Sequence, residues 1–224
     1  MSRTLACLIV FLTLPATSAL AGTIVLTFSA GAGTCASDSA GTTGPIPCSD
    51  SNRIYQGYGD TADVDFTYLD FNTAPNSLYW WSTQYNQLVD VAWADEDGRI
   101  EIAPTASALI TLDHLDIGSW LGVMLPVTVR VLDLVTSEEL YNTGVLNIGA
   151  TSVYLTPGVS SRNGLALVWD ATTGGGRFGL DNITITAETV PEPRSGILIA
   201  AGLFCLVCAG TRWGDKTVRD VTAD

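Results

Sequence analysis

Short runs in which apolar and polar side chains alternate constrain this chain more than any other feature of its sequence. Val64, Phe66 and Tyr68 form the apolar half of one such run. Because successive side chains of a β-strand point to opposite faces, this period of two predicts strands. Clusters of Gly, Pro, Asn and Asp separate the runs, so the pattern predicts an all-β fold, an antiparallel β-sandwich. The predicted strands lie within residues 23–28, 64–69, 99–103, 108–113, 127–132, 165–170 and 183–186, and turns at 74–76, 95–98, 156–158 and 174–176.

The first 21 residues have the pattern of a secretory signal peptide. The basic residue Arg3 precedes an apolar run at 5–14, and the small residues Ala19 and Ala21 fit a cleavage site. The apolar run is too short to cross a bilayer core, which takes roughly 20 residues. We therefore predict export through the inner membrane, cleavage after Ala21 and one extracytoplasmic domain at 22–189.

A second apolar segment lies near the carboxyl end. Pro191 and Pro193 stand before it, its apolar core runs from 197 to 210, and Arg212 follows. The stretch 195–213 is long enough to cross a bilayer, and a core helix of this length would instead show a polar face. Positive charge after the span predicts a cytoplasmic carboxyl terminus. The precursor is thus expected to be anchored in the membrane.

The residues around this segment resemble a known sorting signal. Val190, Pro191, Glu192 and Pro193, then the apolar span and Arg212, resemble the PEP-CTERM signal of exopolysaccharide-producing Gram-negative bacteria. The match covers 190–219, and 220–224 form a short tail. The resemblance implies recognition by an exosortase-type processing enzyme and removal of the tail at or near the motif. It also implies a destination at the cell surface or in the extracellular matrix.

The charge of the chain excludes one class of partner. It carries 23 Asp and Glu against 10 Lys and Arg, a formal net charge of −13. Nucleic-acid binding needs a face of Lys and Arg to neutralise phosphates, so we expect no nucleic-acid partner. An acidic surface keeps the domain soluble and makes divalent cations suitable partners.

Cysteine usage agrees with export. Cys35 and Cys48 are the two cysteines of the predicted domain, and they flank a stretch rich in Gly, Ser, Thr and Pro. An even pair in an oxidising compartment predicts one disulfide.

Three further segments are similar to galactose-binding-like jelly rolls. They are residues 110–120, the strand around 127–134, and the closing segment 178–186 with Asp181 and Asn182 before its alternating part. The resemblance implies a jelly-roll form of the sandwich. Such domains are common among carbohydrate-binding modules, so it also implies contact with exopolysaccharide.

An aromatic cluster is the predicted carbohydrate-binding surface. Tyr79, Trp80 and Trp81 are consecutive, and Tyr85 and Trp93 follow closely. The C–H faces of sugar rings stack on such aromatic rings. The alternative is that these side chains belong to the core. If Trp80 and Trp81 lie on one strand they face opposite sides, so at most one of them is buried in the core.

Asp181 is the candidate ligand for a structural calcium ion. In galactose-binding-like modules, carboxylates from early and late strands share such an ion, and Asp60, Asp63 and Asp65 are the early candidates. The alternative is that Asp181 begins the last strand through a side-chain-to-backbone turn. The acidic stretch 95–98 predicts a tight polar turn. We expect no other cofactor.

No catalytic residue is marked. His114 is the single histidine, and no nucleophile elbow accompanies it. We therefore expect a non-enzymatic surface or matrix protein that contacts exopolysaccharide. Two alternatives stay open: a polysaccharide hydrolase with a carboxylate pair that the sequence does not mark, and a matrix protein without a ligand.

Overall fold

A computed structural model of the chain describes residues 21–31, 33–73, 75–171 and 177–189, all within the unit Met1–Val190. Within these ranges the chain forms β-strands and two short 3-10 turns, Phe71–Thr73 and Trp120–Gly122. The strands are β1 Ala21–Leu26, β2 Cys35–Ala36, β3 Arg53–Ile54, β4 Val64–Asp70, β5 Tyr79–Trp81, β6 Val91–Asp95, β7 Gly98–Pro104, β8 Ala108–Ser119, β9 Leu125–Asp133, β10 Glu139–Ile148, β11 Val153–Leu155, β12 Val159–Ser161, β13 Leu165–Asp170 and β14 Arg177–Thr189.

Several predictions concern residues outside these ranges. They are the signal peptide up to residue 20, the turn at 174–176, the sorting signal at 190–219 with its span at 195–213, and the tail at 220–224. Val190, Pro191, Glu192, Pro193 and Arg212 are among them. In the described ranges, no helix is long and apolar enough to cross a membrane.

The strands form two antiparallel sheets. The first has the order β11-β8-β14-β6-β5-β3-β2, with β1 paired to β14 and β12 paired to β8. The second has the order β10-β9-β13-β7-β4. Side chains from both sheets share one buried core, which confirms the predicted all-β antiparallel sandwich. The finer jelly-roll assignment stays a prediction.

The core follows the alternation of the sequence. Val64, Phe66 and Tyr68 of β4 are buried, and the residues between them are exposed or half-buried. Strands β6, β13 and β14 depart from this alternation. Residues 91–94 of β6, 178–181 of β14 and 165–169 of β13 are buried consecutively. β13 lies between β9 and β7 in the middle of its sheet. A strand covered on both faces loses its alternation.

Strand β14 organises the first sheet. It pairs with β8 along one edge, and along the other with β6 at 177–180 and with β1 at 183–188. At the gap between β6 and β1, Asn182 has a φ of +50° and the register with β8 shifts. This bulge fixes the position of Asp181.

A disulfide joins Cys35 of β2 to Cys48. The backbone N–H of Ile46 donates to the carbonyl of Cys35 at 2.7 Å. The disulfide therefore closes a loop at the edge of the first sheet that β2 forms.

We expect Gly98→Ala to lower the free energy of unfolding by about 1–3 kcal/mol, the usual effect of overpacking a core. A Cβ atom at Gly98 would collide with the indole of Trp169, which is fully buried. Urea denaturation of the full chain measures the change. Gly31→Ala is the control, because its Cβ would have no neighbour within 4 Å. Equal stability of the two variants would contradict this packing.

Candidate functional site

The outer face of the first sheet carries a hydrophobic cluster separate from the core. Its centre is buried and its edge is half-buried. We call it the outer aromatic cluster; it consists of Tyr79, Trp81, Tyr85, Leu88, Val91, Trp93 and Trp120.

Strand pairing builds one side of this cluster and corrects one prediction. Tyr79 lies opposite Trp93 and Trp81 opposite Val91 across β5 and β6, so these four side chains share the outer face. Trp80 points the other way, is only 3% exposed, and donates its Nε1–H to the carbonyl of Phe28 at 2.7 Å. Trp80 is a core residue, so the prediction that it stacks on a sugar is wrong.

Tyr79 is also unavailable for stacking. Its ring lies parallel to that of Trp93, with centroids 4.4 Å apart, and the guanidinium of Arg53 lies 3.3 Å from its centroid. Arg53 in turn forms an ion pair with the fully buried Asp70. Arg53 and Trp93 cover the two faces of the Tyr79 ring, so this residue supports the cluster instead of binding a ligand.

Trp81 and Trp120 form the accessible edge of the cluster. Both are half-buried, and their rings meet edge to face at 5.0 Å. Trp120 also lies over Tyr85, with 5.2 Å between the ring centroids. Trp81 was predicted from the sequence as a candidate residue, whereas Trp120 was not.

A cleft of about 370 Å³ opens beside Trp120. The Nε of Arg177 donates to Asp95 at 3.3 Å, and both side chains are about half exposed. The cleft therefore combines an apolar wall with a guanidinium–carboxylate pair whose charges cancel. Its lining residues are Asp95, Trp120, Val123, Leu125 and Arg177; we call it the Trp120 cleft.

Unpaired polar atoms concentrate in the same region. Of seven buried side-chain polar atoms without a hydrogen-bond partner in the described residues, one is the Nε of Arg99, which is ion-paired with Glu101, and five belong to Trp81, Tyr85, Asn86 and Trp93. Leaving such a group unpaired costs about 1–3 kcal/mol, so native proteins rarely do so. Trp81, Tyr85 and Trp93 belong to the outer aromatic cluster, and Asn86 directly follows Tyr85 in the chain.

Tyr85 is the most deeply placed of these groups. It is fully buried, and burial raises the pKa of its hydroxyl far above the ordinary value. The charges that act on the hydroxyl are those of Arg177 and Asp95, both of the Trp120 cleft. Tyr85 is thus a neutral O–H group next to that cleft.

Two glycines make room for Tyr85. A Cβ at Gly179 would lie 2.8 Å from its ring, and one at Gly118 2.7 Å from its carbonyl oxygen. These positions on β14 and β8 therefore let the loop that carries Tyr85 lie directly on the sheet.

A second cleft, of about 340 Å³, lies next to the same loop. Its lining residues are Gln84, Asn86, Leu121, Gly122 and Ala150; we call it the Asn86 cleft. The backbone N–H of Leu121 donates to the carbonyl of Gln84 at 2.8 Å, which ties the two lining loops together.

The position of Asp181 differs from the one that the calcium hypothesis requires. It lies opposite Asp116 on the first sheet, whereas Asp65 lies on β4 of the second sheet. In the described part of the chain, no three or more His, Cys, Asp or Glu side chains form a group that could hold a metal ion. The expected ligand set of Asp181 with Asp60, Asp63 and Asp65 is therefore not assembled.

Burial raises the pKa of Asp181 to about 7, and the charges of Asp116 and Asp90 act in the same direction. A hydrogen bond from the backbone N–H of Asn182 opposes this rise only in part. The side chain is 6% exposed. Asp181 thus exchanges its proton near neutral pH.

We expect Asp181→Asn to stabilise the chain at pH 8 by up to about 4 kcal/mol and to have little effect at pH 4. The ordinary pKa of 3.8 applies to the unfolded carboxyl and about 7 to the folded one. Between these values the folded state keeps a proton that the unfolded state has lost, so the destabilisation develops from about pH 4 to pH 7 and levels off above 7. Thermal unfolding across this range measures it, with the exposed Asp65→Asn as control. A difference that does not depend on pH would contradict the assignment.

The comparisons with known proteins give structural matches only. No protein-family model matches the chain. No curated protein matches it. Among solved structures it is similar to a "Family 16 Carbohydrate Binding Module-2", with 13% identity, 48% of this chain and 84% of that chain covered, and a TM-score of 0.29. It is also similar to TmCBM61 in complex with β-1,4-galactotriose, with 11% identity, 56% and 83% covered, and a TM-score of 0.23. Because both TM-scores lie below 0.5, neither structure assigns a ligand or a site to this chain.

Proposed function

We propose that this chain is an exported, non-enzymatic protein of the cell surface or extracellular matrix that binds a neutral saccharide in the Trp120 cleft. The observation that carries the proposal is the half-buried indole of Trp120 beside the Asp95–Arg177 pair, with the unpaired hydroxyl of Tyr85 next to them.

The chemistry of the cleft matches that of a sugar ring. A sugar presents a C–H face that packs on an aromatic ring, and a rim of hydroxyl groups that both donate and accept hydrogen bonds. Asp95 accepts, Arg177 donates, and Trp120 supplies the ring. The Trp120 indole contacts the Tyr85 ring, which places the phenol directly behind the wall of the cleft.

The charge distribution favours a neutral ligand. Arg177 is the cation that lines the cleft, and it is already paired with Asp95. The chain as a whole has a net charge of −13, which repels polyanions. A uronic-acid polymer would therefore bind less well than a neutral one.

The carboxylates of the site support binding instead of hydrolysis. Glycoside hydrolysis needs two carboxyl groups about 5–9.5 Å apart across the scissile bond. Among the described residues, Asp95 is the one carboxylate that lines the Trp120 cleft. Burial, together with the nearby charge of Asp170, raises the pKa of Asp97, but neither residue lines this cleft.

Export and sorting complete the proposal. Strand β1 begins at Ala21, so cleavage after this residue leaves the pairing of Gly22 to Leu26 with β14 in place. Strand β14 ends at Thr189, directly before the PEP-CTERM-like motif at 190–193. An exosortase-type enzyme is the proposed processing partner, and the span at 195–213 the anchor of the precursor.

Affinity electrophoresis of the full chain, in a sugar-free non-ionic detergent, tests the binding. Gels contain soluble β-1,4-glucan, β-1,4-galactan, α-mannan or polyuronate. We expect retardation by at least one neutral polymer and less by polyuronate. No retardation in any gel, or the strongest one in polyuronate, would contradict the proposed function. Release of reducing sugar would replace it with the hydrolase.

A further inference from the structure

Two clefts, and not one, border the loop after β8. Trp120 and Val123 line the Trp120 cleft, whereas Leu121 and Gly122 line the Asn86 cleft. Residues 120–123 are therefore a common wall. Each volume is near the lower end of the range for ligand pockets, about 300–1,000 Å³. Either cleft alone suits one small ring.

The common wall and the adjacent Met124 present an apolar rim to solvent. Leu121 is 63% exposed, Val123 52% and Met124 72%. Exposed apolar residues are common singly, but three within four positions form a patch, and such patches mark binding surfaces. A ligand that crosses the wall from one cleft to the other would cover these side chains.

Consecutive residues supply an unpaired polar group near each cleft. The Tyr85 hydroxyl lies next to the Trp120 cleft, and Asn86 lines the other, with both atoms of its amide buried and without a partner. An amide donates through its nitrogen and accepts through its oxygen, so it fits a pair of neighbouring hydroxyl groups.

The geometry of both clefts is held by the backbone. Asn86 has a φ of +60° and Leu121 a φ of +55°, which are uncommon for residues with a side chain. Such conformations persist where the surrounding structure enforces them, here through the hydrogen bond from Leu121 to Gln84. This hydrogen bond ties the loop that carries Asn86 to the common wall between the clefts.

We infer that the two clefts are subsites for successive sugar units of one chain, so that the ligand is a stretch of neutral oligosaccharide spanning residues 120–123 and not a single sugar. This inference rests on the proposed function and deepens it. The Trp120 cleft holds one unit against its indole, the apolar rim carries the linkage, and Asn86 hydrogen-bonds to the next unit.

Calorimetric titration of the full chain with a series from monosaccharide to hexasaccharide tests the inference. The oligosaccharides are fragments of the polymer that retards the chain in affinity electrophoresis. We expect affinity to rise at least tenfold from monosaccharide to trisaccharide and then to level off. Asn86→Gly, which keeps the positive φ and removes the amide, should lower trisaccharide affinity about tenfold. Ala150→Phe, which fills the Asn86 cleft, should likewise remove the rise in affinity from monosaccharide to trisaccharide. Tyr154→Ala, an exposed aromatic that lines neither cleft, is the control.

Three results would contradict the two-subsite inference. Equal affinity for monosaccharide and trisaccharide would overturn the two-subsite inference and leave the proposed function standing. The same conclusion would follow if Asn86→Gly and Ala150→Phe both kept the full rise in affinity from monosaccharide to trisaccharide. Their melting temperatures must show that both variants are folded. Absence of binding at every length would overturn the proposed function, and this inference with it.

Discussion

Arg53→Met should lower the free energy of unfolding by about 3–5 kcal/mol, because it leaves a buried carboxylate without its counter-charge. Asp70 is fully buried, and Arg53 pairs with it at 3.0 Å. Arg53 also donates to the carbonyl of Ser77 and covers the ring of Tyr79. Urea denaturation followed by tryptophan fluorescence measures the effect.

Arg99→Met is the matched control. Arg99 forms an ion pair with Glu101 at 2.8 Å, but both side chains are partly exposed. Partly exposed pairs contribute at most about 1 kcal/mol. The double change Arg53→Met with Asp70→Asn should be more stable than Arg53→Met alone, because the unpaired charge is gone. Equal losses in Arg53→Met and Arg99→Met would contradict the buried pair.

Trp120→Ala should weaken saccharide binding at least about 30-fold, the effect of removing a central aromatic contact worth 2 kcal/mol or more. Trp120 forms the wall of one cleft and its neighbour Leu121 lines the other. Its side chain is half-buried at the edge of the outer aromatic cluster. Titration with the retarding oligosaccharide measures the change.

Two variants separate this effect from loss of structure. Tyr154→Ala removes an exposed aromatic from the same sheet and should bind as the parent chain does. Trp80→Ala removes a core residue and should lower the melting temperature instead. Unchanged affinity in Trp120→Ala, with affinity lost in Tyr154→Ala, would move the site away from the cleft.

The sandwich was predictable because strand burial has a period of two that the sequence displays directly. Val64, Phe66 and Tyr68 are buried as their spacing predicts. The prediction is weakest where both faces of a strand are covered, as at β13. There the alternation disappears, although the apolar run still predicts a strand.

The site was less predictable because it depends on which strands become neighbours. Alternation separates Trp80 from Trp81, but only the pairing with β6 shows that Trp81 faces Trp93. Trp120 is a single aromatic residue in the 3-10 turn that directly follows β8, and no local pattern marks it as a site residue. Arg177 reaches Asp95 from 82 positions away through the pairing of β14 with β6.

Asp181 illustrates the same limit for charged residues. The sequence identified it as a candidate calcium ligand, whereas the structure shows a buried carboxyl group with a raised pKa. Its neighbours are Asp116 and Asp90, from elements that the sequence did not bring together with it. The bulge at Asn182 determines this grouping.

The most direct test of saccharide binding at the Trp120 cleft is the set of indole N–H signals in ¹⁵N-labelled full chain, titrated with the oligosaccharide that the gels select. We predict that the Nε1–H signals of Trp81, Trp93 and Trp120 shift together and saturate, while those of Trp80 and Trp169, in the core, stay in place. Saturable binding that leaves the Trp81, Trp93 and Trp120 signals unmoved would contradict the account.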